Sequence, residues 1–184
     1  MSELITSIFE SDSGSFSCDE NGLLRSFSAN RDVAISSLSL LRHLHIPEGV
    51  RRIGCDYFAS DRPKCELFRE LVIMGEVTLP SSLEILDDHA FYGCAIQRLV
   101  IPPTVRRLGH GTLMHCYIQN LVIQPCEILL ENSYSAAEAL SIAGRDFKET
   151  TIENLIIRAA ESDQTWLRRL MPEADILNIF YQPD

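Results

Sequence analysis

"HIPEGVRRIG" at residues 45–54 returns as "VIPPTVRRLG" at residues 100–109. A duplicated stretch calls for its period before any assignment of helices or strands, because stacked repeats bury their apolar faces against neighbouring copies. A Leu followed two positions later by Ile recurs in "LLRHLHI" (Leu44, Ile46), "FRELVI" (Leu71, Ile73) and "IQRLVI" (Leu99, Ile101). It recurs again in "IQNLVI" (Leu121, Ile123), "IENLII" (Leu155, Ile157) and "ADILNI" (Leu177, Ile179). The leucines lie 27, 28, 22, 34 and 22 positions apart. That is a unit of about 22 residues with insertions, inside the roughly 20 to 50 residues of stacked-repeat architectures. Three positions before each leucine stands another mostly apolar residue: Leu41, Phe68, Ile96, Ile118, Ile152 or Ala174. Apolar residues at positions 1, 4 and 6 fit a short strand that enters from a bend and then alternates, with positions 4 and 6 inward.

The remainder of the unit repeats as well. Pro47, Pro80 or Pro102 follows the strand, and then come "VRRIG" (50–54), "LEILD" (83–87) or "VRRLG" (105–109). A bulky residue follows at Phe58, Phe91 or Leu113, and a cysteine at Cys65, Cys94 or Cys116. Proline cannot donate to a ladder, so it stops the strand where the chain turns. Gly54 and Gly109 suit a corner that needs positive φ or a close approach, with Asp87 in the same place. The bulky side chain fills the core between copies, and the cysteine is small and apolar enough to be buried at a corner.

Departures from the unit read as loops or helices. "ASDRPKCE" (59–66) and "MGEVT" (74–78) read as surface insertions, the second lengthening the exit of the second strand. "SYSAAEALSIAG" (133–144), with a Ser cap, Ala-rich interior and Gly stop, predicts a helix, as does "SDQTWLRRL" (162–170) before Pro172. Residues 1–37 lack the unit and are expected to cap the first repeat, with 38–184 as the repeats of one domain.

Composition narrows the function classes. The chain is 46% hydrophobic and 23% charged, the balance of an ordinary globular protein, and no apolar run reaches the roughly 20 residues of a spanning helix. A formal charge of −10 disfavours a grip on phosphate backbones and docking on anionic lipid, so neither nucleic acid nor membrane insertion is expected. The first eighteen residues carry no basic n-region and no apolar h-region; if Met1 is native the protein is expected in the cytoplasm, and if the chain is trimmed, at a surface or secreted. Six cysteines without a CxxC imply reduced thiols.

"LHIPEGVRRIGCDYF", "LVIPPTVRRLGHGTLMHC" and "LEILDDHAFYGC" resemble the BspA-like subgroup of leucine-rich repeats, closely over residues 38–123 and in the strand half alone to residue 179. The resemblance implies a right-handed solenoid with one parallel sheet of about six short strands, returns irregular early and helical late. It also implies a module that binds macromolecules, often in adhesion, with no shared catalytic residues and no cofactor.

The candidate site follows from the pattern. The position between the two inward residues is His45, Val72, Val100, Val122, Ile156 and Asn178. Strands stacked about 4.8 Å apart in register line these up as one outward column, apolar over four successive members. Beside it runs a polar column of His43, Glu70, Arg98, Asn120 and Asn154. Together they predict a face for a protein partner, or for self-association; the alternative is that β propensity alone places Val and Ile there. Arg51, Arg52, Arg106 and Arg107 read as a solvated face, with Glu84 between them, ahead of a phosphate site. His110, His115, Cys94 and Cys116 can be drawn as a zinc site or a thiol with a histidine base, but the repeat slot already explains both cysteines by packing. No P-loop, GxGxxG, HExxH or GxSxG occurs, and no metal or catalytic residue is expected.

Overall fold

The computed structural model describes residues 7–30, 32, 40–54, 67–109, 111–123, 149–158, 171 and 174–182. The two expected helices, at 133–144 and 162–170, lie outside the described residues, as do Phe58 and Cys65. The chain begins with β1 (Ser7–Ser11), β2 (Gly14–Cys18) and β3 (Leu24–Ala29), an antiparallel sheet in that order. The first repeat supplies β4 (Leu40–Leu41) and β5 (Leu44–His45), and then β6 (Arg52–Ile53). There follow β7 (Val72–Thr78), β8 (Ile85–Leu86), β9 (Ala95–Ile101), β10 (Arg107–Leu108) and β11 (Tyr117–Ile123). The series ends with β12 (Thr151–Ile157) and β13 (Asp175–Tyr181).

Two parallel sheets result where one was expected. The larger runs β13-β12-β11-β9-β7-β4, with β5 also on β7, and the smaller runs β10-β8-β6. The smaller sheet is the answer to why "VRRIG" recurs. Val50, Ile53, Leu83, Leu86, Val105 and Leu108 are all buried, three positions apart in each return, and each return segment pairs with the same segment one repeat away. Its backbone bonds continue past the ladder, with Asp87 N donating to Ile53 O at 2.7 Å and Gly109 N to Leu86 O at 2.7 Å. A Cβ on Gly109 would sit 2.4 Å from Asp88 N, and one on Gly54, where φ is 122°, would sit 2.8 Å from Asp87 Cβ. Close approach therefore selects both glycines, and positive φ adds to it at Gly54.

The register corrects two of the six repeats. Val77 pairs with Leu99 and Ile73 with Ile96, so Val77 is the inward residue of the second repeat and Leu71 lies ahead of the strand. "MGEVT" is strand, not an exit loop. The extra residue is absorbed in a bulge between Ile73 and Glu76, where a Cβ on Gly75 would meet Arg42 O at 2.5 Å. In the last repeat Ile179 pairs with Leu155 and Asn178 with Asn154, which moves Leu177 off the inward position.

Corrected register also redefines the corner. The backbone N–H groups of Ala95, Tyr117, Thr151 and Asp175 donate to the carbonyls of Leu71, Cys94, Cys116 and Thr150, so these four residues share one slot. Cys94 Sγ donates to Phe68 O at 2.6 Å, Cys116 Sγ to Phe91 O at 2.9 Å and Thr150 Oγ1 to Leu113 O at 2.5 Å. In three of these four repeats the slot thus holds a small donor that reaches the carbonyl of the preceding repeat, and in the other it holds the buried Leu71. Phe68, Phe91 and Leu113 are its bulky partners, all buried, with Phe68 stacked on Phe91 at 5.3 Å and Phe27 of β3 beside Phe68 at 5.7 Å. One residue before the slot the chain is left-handed each time: Glu70 (φ 55°), Gly93 (70°), His115 (59°) and Glu149 (53°).

The core lies between the two parallel sheets and runs continuously from Phe16, Cys18 and Leu24 of the antiparallel sheet to Met171.

Candidate binding face on the larger sheet

Three outward columns cross the larger sheet. The first is Val72, Ala95, Tyr117, Thr151 and Asp175. The second is Glu76, Arg98, Asn120, Asn154 and Asn178, and the third His45, Thr78, Val100, Val122, Ile156 and Phe180. His45, Val100, Val122 and Ile156 stand in one column as the sequence implied, and so do Arg98, Asn120 and Asn154 in the next. Four expected members do not. Val72 moves to the first column, Glu70 to the left-handed corner, and Asn178 to the polar column; Thr78, Glu76 and Phe180 take the vacated places. His43 belongs to no column and stacks its ring on His45 at 4.5 Å.

The Leu-x-Ile anchor misled the alignment because Leu71-x-Ile73 and Leu177-x-Ile179 satisfy it by accident. A better signal was present: "IQNLVI", "IENLII" and "ILNIFY" align on Asn120, Asn154 and Asn178. In the structure these three form a ladder. Asn154 Nδ2 donates to Asn120 Oδ1 at 3.1 Å, Asn178 Nδ2 to Asn154 Oδ1 at 3.2 Å, and Asn120 Nδ2 to Gln97 O at 3.3 Å. Identical amides stacked in register can each donate and accept, so the repeat itself selects asparagine. Arg98 and Glu76 extend the column by an ion pair at 3.5 Å.

Burial divides the apolar column. Val122 is 2% exposed yet stands apart from the contiguous core, Val100 and Ile156 are half-buried, and Phe180 is 47% exposed. The column is covered at its centre and open towards β13. Open apolar area lies elsewhere on the same face: Val72, Met74, Tyr117 and Leu177 are all exposed, and the Tyr117 hydroxyl bonds the Glu153 carboxylate.

The opposite face is charged and joined by ion pairs. Arg51 and Arg106 both bond the Glu84 carboxylate between them, and the Arg51 bond, with that of Arg106 and both charges, holds Glu84 below its usual range. Arg52 bonds Asp87, whose carboxyl is nevertheless pushed up by burial. Cys94 and Cys116 are free, buried thiols, raised by burial, Cys94 to about 12, so neither is a ready nucleophile at neutral pH. His115 does not join them; its ring faces Glu149 of the next corner at 3.1 Å, while His110 lies outside the described residues. Among the described residues the one group of three donors close enough for a metal is Asp12, His43 and His45.

A family model for the BspA type leucine rich repeat region matches in 6 copies over residues 63–160, more than half of the chain. No curated protein and no solved structure matches. With parallel strands stacked in register, a proline after the strand and a thiol closing the corner, the chain belongs to the BspA-type leucine-rich repeat family.

Proposed function

We propose that this is a non-catalytic protein-binding module: a right-handed solenoid, folded as one domain, that presents the outward face of its larger sheet to another protein. Residues 1–37 serve as the cap over the first repeat, which the bridge from Leu23 to Arg52 and the burial of Phe16 and Leu24 support. The observation that carries the reading is where exposed apolar area collects. Of the seven large exposed hydrophobics among the described residues, five (Val72, Met74, Tyr117, Leu177 and Phe180) fall on that face, beside the ordered row of Asn, Arg98 and Glu76. A rigid sheet carrying an exposed aromatic among polar groups is the chemistry of a protein contact, where Tyr is enriched and charge is kept to the rim.

The test is a cross-linking and mass-spectrometry search with wild type beside the variant Val72→Glu, Tyr117→Ala. Both residues are exposed, so the variant folds as wild type does by circular dichroism. A partner captured by wild type and lost in the variant supports the reading; partners retained equally by both refute this face. A second reading, self-association, is favoured by β13, a terminal strand whose inward Ile179 is 40% exposed. It predicts that Ile179→Lys lowers the mass in light scattering.

A further inference from the structure

The first repeat sits at the edge of the larger sheet opposite β13, and there the β1–β2 turn folds over it. Ser11 Oγ donates to His45 O at 2.6 Å, and His45 N donates to Ser13 Oγ at 2.7 Å. These two hydroxyls satisfy the backbone groups that β5 turns away from β7, so the turn is fastened to His45. The turn is fixed from behind as well: Asn30 Nδ2 donates to Asp12 O at 2.9 Å, Asn30 N donates to Ser13 O at 2.9 Å, and Ser13 is fully buried. Asp12 is thereby held against two imidazoles. Both its carboxylate oxygens lie 2.9 Å from His45 Nδ1, and Oδ2 lies 3.6 Å from His43 Nε2. His43 Nε2 is shielded from solvent and has no hydrogen-bond partner.

We propose that Asp12, His43 and His45 form a site for a divalent transition metal of the zinc type, which clamps the β1–β2 turn to the first repeat. The three ligand atoms lie within 4.8 Å of one another. Ligands at tetrahedral zinc stand about 3.4 Å apart, given Zn–N and Zn–O bonds of about 2.1 Å. The 2.9 and 3.6 Å separations bracket that value, and the third edge, between the two imidazole nitrogens, is within 4.8 Å. Two imidazoles and one carboxylate select zinc, or its neighbours in the first transition row, over magnesium and calcium, which take oxygen. The ion takes the place of the hydrogen bond between Asp12 and His45 Nδ1, and gives His43 Nε2 a partner. The serine bonds at His45 act as the outer shell that keeps the donors aimed. A fourth position stays open to water.

The test is equilibrium dialysis of the full chain against zinc chloride, with metal content read by mass spectrometry, on wild type, Asp12→Asn, His43→Gln, His45→Gln and the control His115→Gln. Wild type and the control should bind one zinc per chain. Each of the other three should bind at least tenfold more weakly while keeping the wild-type circular dichroism spectrum. Cobalt substitution should show visible d–d bands without a thiolate charge-transfer band. Absence of bound zinc in wild type overturns the proposal. So does zinc that persists undiminished in the three variants, or a thiolate band, either of which puts the ion on cysteines.

Discussion

Replacing Val122 by Ala separates a covered column from an open one. Val122 on β11 and its register partner Val100 on β9 occupy the same outward position on adjacent central strands, yet Val122 is 2% exposed and Val100 half-buried. Removing two carbons from a covered site costs about 1.6 kcal/mol at about 0.8 per CH2, and the residual cavity brings this to about 2 kcal/mol. The same change at Val100 should cost about half as much, since part of its surface is already in water. Loss of β propensity is common to both and cancels in the comparison. Urea unfolding should resolve the gap, and thermal midpoints should fall by roughly 4–8 °C for Val122→Ala in a chain of this size. Val122→Glu should abolish cooperative unfolding by burying an unpaired carboxylate, while Thr78→Glu, exposed in the same column, should be near neutral. Equal costs at Val122 and Val100, within about 0.5 kcal/mol, would refute the reasoning, because the column would then be uniformly open.

Two further perturbations follow from the corner and the first hairpins. Glu70 adopts φ 55° where the next repeat has Gly93 at φ 70°, so Glu70→Gly should raise stability by about 0.5–1 kcal/mol in urea unfolding; a loss of stability would mean the corner is unstrained. Asp19 accepts from Asn21 N at 2.8 Å, Leu23 N at 3.1 Å and Arg25 Nη2 at 2.7 Å. Partial burial opposes its ionisation, and these bonds with the Arg25 charge outweigh it, holding the carboxyl below its usual 3.8. Its stabilisation is therefore complete above that value and lost as pH falls through the lower folded one. Wild type should exceed Asp19→Asn by a constant margin above roughly pH 5, and the margin should close in acid.

The periodic residues were enough to state the architecture's main features. Leu99, Ile101, Leu121, Ile123, Leu155 and Ile157 alternate so strictly that only an inward strand face accommodates them, and Pro47 and Pro102 end each strand by a property local to one residue. The outward column of Val100, Val122 and Ile156 follows from the same alternation, because side chains on a strand have period two. What the tertiary structure decided lies wherever the relevant partner is a distant residue. The register of the second repeat depends on Gly75 approaching the Arg42 carbonyl, and that of the last on the ladder joining Asn178 to Asn154. The second parallel sheet exists because returns a whole repeat apart lie side by side. Whether Val122 is covered is a property of what packs on the sheet and not of its own strand. Asp12 meets His43 and His45 through a turn fastened by two serine hydroxyls, a contact across more than thirty residues that no local pattern encodes.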